Sequence, residues 1–477
     1  MDPSGGKETM RVFYVEPPLS LIPTGIEPRH PPQMALYSAA LLRRAGHDVQ
    51  VIDAFLEDLS LDETLDRALQ AAPDLVVLVP FDYTRETEPR VTVELARRLA
   101  KARPGLAMGL AGSVDRPLFE RCLREAPALR FAVVGEYERA LEQVAARAAD
   151  HLDGIPGLLV RRGSEVAFTG PGEVIDDLAS LPYPAWDLVD FARYTFVPHR
   201  YKRVPMYPLL ASRGCPFACL CCKETKYAKI TRYRLRTVAD VIAEIRWAQL
   251  HWGAREIQFS DATFGIRAEW VLELCEALRR ERLDVTWSAL MRADLMTPDV
   301  LEPMARAGCW NVLVGVESAN QHALDIVHKR ITPDLARSAV GAAKAVGLTV
   351  TTSFILGLPG EDRADVLRTI DFAVELDPDY AQFFVLKHYG EDGEFDAWGR
   401  VEDSWDLSPH DFRGPVFVGR AFRDRDELKD LQRLAYRRFY LRPRYVAKRL
   451  PDLLSPAQTR RAVVGLVTLV KASFLRR

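Results

Sequence analysis

The sequence predicts an α/β protein: an N-terminal doubly wound parallel sheet, then a (β/α)6 partial barrel, then a mostly helical C-terminal region. Three observations carry this. Short apolar runs alternate with amphipathic stretches from residue 10 to 150, a second series of six strand–helix units begins at Tyr207, and a group of cysteines follows the first strand of that second series. Such alternation argues for parallel sheets covered by helices, because each parallel connection needs a helix-length crossover.

In the first series, strands are expected at 11–15, 48–52, 75–79, 106–110 and 131–134, with helices at roughly 33–46, 61–71, 87–103, 115–127 and 137–150. They make residues 1–150 one domain, whose ligand would sit at the carboxyl ends of the strands. Residues 151–206 are irregular and contain prolines, which reads as a connector with a small hairpin, 157–161 against 165–168 across Arg162-Gly163-Ser164. The second series fills a domain at 207–390. Its strands are expected at 207–212, 255–260, 284–290, 311–316, 349–356 and 379–385, and its helices at 237–252, 267–281, 297–307, 333–346 and 361–376. Barrel chemistry belongs at the C-terminal strand ends, and the cysteine loop falls on that rim. The remaining part, 391–477, carries a basic aromatic run, LAYRRFYLRPRYVAKRL (434–450), and an apolar stretch with a basic end, AVVGLVTLVKASFLRR (462–477). The latter suits either interfacial contact with a membrane or packing on the barrel.

Composition narrows the class. At 477 residues, 48% hydrophobic and 27% charged, the chain is that of an ordinary globular protein of two or three domains. A net charge of −2 gives no electrostatic case for nucleic acid as a general partner. Seven cysteines, three of them ligand candidates within eight residues, do not resemble a secreted disulfide framework. The first residues lack a signal-peptide layout and no apolar run approaches a spanning helix, so a cytoplasmic location is expected.

Cys215, Cys219 and Cys222 stand as C-x-x-x-C-x-x-C in LLASRGCPFACLCCK (209–223). Three thiolates in one tight loop can hold three irons of a 4Fe–4S cubane, leaving the fourth open to a small molecule. A structural zinc site wants four ligands at paired spacings, and neither Cys275 nor Cys309 supplies a pair. Using Cys221 instead of Cys222 would shorten the spacing to C-x-x-x-C-x-C.

SRGCPFACLCC (212–222), FSDATF (259–264), MRADL (291–295), AGCWNVLVGVES (307–318) and ILGLPGE (355–361) together resemble the strand-end motifs of the radical S-adenosylmethionine (SAM) superfamily. VGEYERALEQV (134–144) and DLASLPYPAWDLV (177–189) resemble its subgroup with an N-terminal cobalamin-binding domain. The resemblance implies SAM bound to the open iron and cleaved reductively to a 5′-deoxyadenosyl radical, which abstracts a substrate hydrogen. It also implies SAM contacts: Asp261 with the amino group, Arg292 with the carboxylate, Glu317 with the ribose, and Gly357 and Gly360 beside the adenine.

The sequence departs from that family in three places. Cys221 replaces an aromatic residue. GLAGSVD (109–115) lacks the Gly-Gly pair and the histidine of many cobalamin domains. YGEDGE (389–394) replaces the usual ending after the sixth strand. Cobalamin therefore stays an open cofactor. The expected activity is hydrogen abstraction from a small-molecule, secondary-metabolite-like substrate, giving C-methylation if cobalamin binds. Without cobalamin, the expectation is radical dehydration, rearrangement or redox tailoring of a sugar or aminoglycoside-like molecule. RNA modification, supported only by the basic run, and a cluster used for electron transfer alone are the competing readings. A reducing partner such as flavodoxin or ferredoxin is expected. His199, Glu224 and Tyr227 lie near the loop as candidate bases without further support.

Overall fold

The computed structural model describes residues 9–18, 30–82, 85–86, 89–112, 116–194, 201–222, 232–387, 393, 395–402 and 416–454. In the N-terminal domain, strands β1 (Arg11–Glu16), β2 (Asp48–Asp53), β3 (Leu75–Asp82), β4 (Arg85–Glu86), β5 (Ala107–Gly112) and β6 (Phe131–Val133) alternate with helices. These are α1 (Gln33–Arg44), α2 (Leu61–Gln70), α3 (Pro89–Ala102), α4 (Arg116–Glu125) and α5 (Glu138–Ala146). The main strands are near-continuous apolar runs because helices cover both faces. Their order, β2-β1-β3-β5-β6, reverses direction between β1 and β3, the switch point at which such sheets bind ligands.

The hairpin expected in the connector, β7 (Leu158–Arg162) and β8 (Glu165–Phe168), is present but belongs to this sheet, with β7 antiparallel to β6. Backbone pairing decided this, since β6 would otherwise be an open edge. Beyond it, Trp186 packs edge-on against Phe191 and Tyr207, with ring centroids 5.1 and 5.5 Å away. This makes one apolar core run from the first domain into the second.

The second sheet begins with β9 (Met206–Leu209), followed by a short ribbon of β10 (Ser212–Arg213) and β11 (Arg234–Leu235). Then come β12 (Glu256–Phe259), β13 (Thr286–Met291), β14 (Cys309–Glu317), β15 (Thr349–Leu356) and β16 (Tyr380–Val385). All six main strands are parallel, ordered β9-β12-β13-β14-β15-β16, and the sheet does not close. Its helices are α6 (Val238–Trp252), α7 (Ala268–Arg280), α8 (Pro298–Arg306), α9 (Gln321–Ile326), α10 (Pro333–Ala345) and α11 (Arg363–Leu376). Local chemistry sets their ends. Thr237 caps α6, Gly253 ends it in a left-handed conformation, and Asp362 with Asp365 forms a capping box on α11.

The open edge of β16 is covered by the C-terminal region: the antiparallel pair β17 (Gly399–Glu402) and β18 (Val416–Gly419), then α12 (Arg425–Tyr440) and α13 (Pro443–Leu454). Side chains take the place of a neighbouring strand. Ala381 N–H donates to Tyr440 Oη at 3.0 Å, Tyr440 Oη donates to Ala381 O at 2.8 Å, and Gln432 Nε2 donates to Phe383 O at 2.6 Å. Part of the basic aromatic run is therefore structural. Arg442 pairs with Asp377, Lys448 with Asp379 at 2.9 Å, and the Arg449 guanidinium lies 4.5 Å over the Tyr380 ring. Part of the run that would favour an RNA substrate is thus committed to contacts within the chain. Among the described residues no helix is long and apolar enough to cross a membrane. The stretch 462–477 and most of YGEDGE lie outside the described residues, as do His199, Glu224 and Tyr227.

Removing the Tyr440 hydroxyl with Tyr440→Phe should cost about 1–3 kcal/mol, because it leaves both polar groups of Ala381 unpaired at a buried edge. Urea unfolding reads this, and an unchanged midpoint would rule out the side-chain cover of β16.

Candidate active site

The cysteine loop leaves β9 and is zipped at its base by the β10–β11 ribbon, in which Ser212 faces Leu235 and Arg213 faces Arg234. Cys215 and Cys219 are buried and Cys222 is half-buried. Leu220 N–H donates to Val327 O at 2.9 Å and Cys222 N–H to Cys219 O at 3.1 Å, which fixes the turn between the thiols. Cys215 Sγ lies 3.5 Å from Thr263 Oγ1, and Arg292 Nη1 lies 3.6 Å from Cys219 Sγ. Burial pushes the Cys219 thiol up, against the pull of Lys329 and Arg292. Cys221 packs with Leu220 against the apolar group of Val327, Leu358, Phe395 and Phe417, and burial raises its thiol well above the usual range. Three soft sulfur donors on one short loop, with cations facing Cys219, suit an iron–sulfur cluster. Among the described residues no three His, Cys, Asp or Glu side chains are grouped as a single-ion site. A cubane spreads its thiolates over several atoms and needs no such convergence.

The structure brings Arg292 and Glu317 to this loop. Arg292 uses its planar fork on Asp294, with Nε and Nη2 each at 3.0 Å, donates to Lys329 O at 2.9 Å, and lies 3.8 Å over the Phe217 ring. Its bidentate contact is thus with a carboxylate of this chain, and the guanidinium clamps the loop around Cys219. Glu317 ends β14 at φ +67°, strained for a residue other than glycine, where the β14–β15 register slips. Its Oε1 lies 2.6 Å from Lys329 Nζ. Burial opposes the lysine's charge, but Glu317 outweighs it and holds the ammonium above its ordinary value. Gly315 leaves room for this pair, since a Cβ there would sit 2.4 Å from Glu317 Oε1 and 2.8 Å from Lys329 Nζ.

Asp261 meets the segment that leads into the loop. Its carboxylate accepts Ala211 N–H at 3.2 Å and the Ser212 hydroxyl, and burial pushes it up to about 6. It therefore fixes the start of the loop. Gly357 and Gly360 turn at φ +80° and +85°, and a Cβ at either would meet Leu428 at 2.7 Å or Ile326 at 2.8 Å. The space above them is filled by this chain's own side chains. Glu361 closes that turn: it accepts Gly357 N–H at 3.0 Å, Leu358 N–H at 2.9 Å and the Ser318 hydroxyl at 2.6 Å. Burial pushes its carboxyl up to about 7. Lys329 and Glu361 escaped the sequence reading, although Glu361 ends ILGLPGE, where an acid directly after a glycine turn is a usable signal.

A second group of charges ties the two domains together. Glu136, just past β6, accepts from Arg234 Nη2 at 2.7 Å and Nη1 at 2.9 Å. Glu138 Oε1 lies 2.7 Å from Arg213 Nη2, close enough for an ion pair though not aligned as a hydrogen bond. All four side chains are nearly inaccessible. The carboxyl edge of the first sheet is thereby fastened to the base of the cysteine loop, at the carboxyl edge of the second. At the first edge, Gly112 ends β5 at φ +139°, a conformation that suits only glycine, but 19–29, 83–84 and 113–115 lie outside the described residues.

Burial raises the Glu136 carboxyl, but Arg234 and Arg213 together outweigh it and hold it below its ordinary value. Its stabilising contribution is present above about pH 4.3, the free glutamate value, and is lost as pH falls through the depressed one. Glu136→Gln should therefore cost about 3 kcal/mol near neutrality by leaving buried guanidinium charge unpaired. The difference should shrink below pH 4. Urea titrations at several pH values test this, and a pH-independent difference would refute the ion-pair account.

Comparisons with known proteins agree with this layout. The family model described as Radical SAM superfamily matches residues 209–373, and the one described as B12 binding domain matches residues 22–145. The chain is 30% identical over 447 residues to the "uncharacterized methyltransferase PH0819" of Pyrococcus horikoshii, covering 92% of this chain and 95% of that one. It is 28% identical over 444 residues to the anaerobic magnesium-protoporphyrin IX monomethyl ester cyclase of Rubrivivax gelatinosus, covering 91% of this chain and 78% of that one. The solved radical SAM methyltransferase TsrM of Kitasatospora setae, with cobalamin and a [4Fe-4S] cluster bound, shares the fold. Its TM-score is 0.67 at 16% identity, covering 95% of this chain and 90% of that one.

Proposed function

This chain belongs to the radical SAM superfamily, in the branch with a B12-binding domain ahead of the barrel, and from that premise we propose that it methylates an unactivated carbon of a small organic substrate. It is a radical SAM enzyme, with a 4Fe–4S cluster and SAM as cofactors. The observation that carries the methylation reading is the Glu136/Glu138–Arg213/Arg234 group, which holds the edge of a B12-binding domain against the cluster loop. The name of the 30% identical relative, a methyltransferase, supports the same reading.

When bound, the cluster and SAM supply a 5′-deoxyadenosyl radical, and cobalamin a methyl carrier. Cys215, Cys219 and Cys222 are the proposed cluster ligands, and Cys221 is a packing residue. Arg292 positions Cys219 through Nη1 and the Phe217 stack, and Asp261 positions Cys215 through Ser212. Lys329 and Glu317 offer SAM an adjacent cation and anion at the end of β14. Gly357 and Gly360 shape the turn beside them. Thiolate ligation of the cluster favours a reducing compartment such as the cytoplasm and a flavodoxin- or ferredoxin-like electron donor as part of this reading.

Anaerobic protein given hydroxocobalamin, methyl-deuterated SAM and a reductant should keep corrin absorption bands after desalting and form 5′-deoxyadenosine. Loss of the corrin bands would sink the methylation reading. Absence of 5′-deoxyadenosine would sink radical chemistry altogether. Single alanine replacements of Cys215, Cys219 or Cys222 should abolish iron incorporation, whereas Cys221→Ala should retain it; full iron content in any of the first three removes that residue as a ligand. Glu317→Gln should weaken SAM binding about tenfold with the cluster intact, because a charged acceptor is lost. Equilibrium dialysis with labelled SAM measures this, and an unchanged affinity takes Glu317 out of the site.

A further inference from the structure

Arg425 opens α12 at the carboxyl rim of the barrel. The helix runs antiparallel to β16: Tyr440 meets Ala381 early in the strand, Gln432 meets Phe383, and the helix N-terminus lies beyond the strand's end. Leu428 follows Arg425 by three residues and so shares its helix face, and it packs over Gly357 in the turn after β15. Arg425 thus stands at the ends of β15 and β16, on the side where barrels carry their chemistry.

Its side chain is 5% exposed, and among the described residues none of Nε, Nη1 or Nη2 has a hydrogen-bond partner. The carboxylates around it are committed elsewhere. Glu402 accepts the Arg425 backbone N–H at 3.4 Å and pairs with Arg400 at 2.7 Å. Asp424 caps the helix and pairs with Arg423 at 2.8 Å, Glu427 pairs with Arg363 at 3.1 Å, and Asp426 lies 3.8 Å from Lys429. A guanidinium does not shed its proton, so burying it without an anion is unfavourable. Its five donors form a planar fork that matches the two oxygens of a carboxylate or phosphate, and pairing strengthens in a site sheltered from water.

We propose that Arg425 anchors an oxyanion group, carboxylate or phosphate, of the substrate, so that the carbon acted on belongs to an acid. This rests on the reading of the barrel mouth as the substrate site. The test uses the full-length, anaerobically reconstituted protein, melted in Tris chloride with inorganic phosphate or acetate titrated in. One of the two probes should raise the wild-type midpoint, and which one does so tells phosphate from carboxylate. R425M should weaken the apparent affinity for that probe about tenfold or more, and R425K should keep part of it, since lysine offers a point charge without the fork. Without added anion, R425M should melt no lower than wild type, because it removes a buried charge that lacks a partner. No shift with either probe, an equal shift in R425M, or a clearly lower ligand-free midpoint for R425M each overturns the proposal, the last by revealing an anion within the chain. Formation of 5′-deoxyadenosine by the wild type is scored separately, so failure of the radical reading and failure of the Arg425 site remain distinguishable.

Discussion

Two arginines face each other across the ribbon that closes the cysteine loop, and the loop exists in its present form only because carboxylates from another domain sit between them. Arg213 and Arg234 would repel as a directly opposed pair. Glu136 and Glu138 turn that repulsion into a four-charge group sealed from water. Each partner is costly to bury alone, so the domains are bound to one relative placement at the point where the loop begins. The shared core around Trp186 adds adhesion, but apolar burial has no direction, and the charges supply the register.

A second set of polar contacts runs along the strand ends. Arg292 grips the loop beside Cys219 and reaches the Lys329 carbonyl, Lys329 pairs with Glu317, and Ser318, next in the chain, donates to Glu361. The ends of β13, β14 and β15 are thereby linked through side chains rather than through the ladder, which slips between Gly315 and Glu317. The strained Glu317 backbone is held there by its neighbours, as expected where a rim residue must aim its carboxylate inward. Arg425, on the helix that covers the open edge, extends the same rim beyond the sixth strand.

Much of this was legible in the chain. The two strand–helix series could be read because parallel strands covered on both faces are short apolar runs, whereas their helices show one apolar stripe. The cysteine loop could be picked out because a ligand set carried on one loop is a local spacing. The partners of polar side chains were not legible, because several were chemically sensible. Arg292 suits any carboxylate, and within the chain it meets Asp294, two residues away. Asp261 suits a ligand amine, and within the chain it accepts the backbone N–H of Ala211. The basic run at 434–450 resembled a binding surface because composition is silent about which neighbour its charges meet.

The amino-acid order by itself thus determined the two sheets, the cluster loop and the class of chemistry, since all three rest on periodicity or spacing within short segments. Only the tertiary structure decided that the hairpin at 158–168 completes the first sheet, that Tyr440 and Gln432 cover the open edge of the second, and that Glu136 meets the base of a loop nearly eighty residues away. The physical reason is common to all three. A buried hydrogen bond or ion pair is chosen by which groups lose water together, and that is fixed when distant segments pack, not by the segment that carries the group.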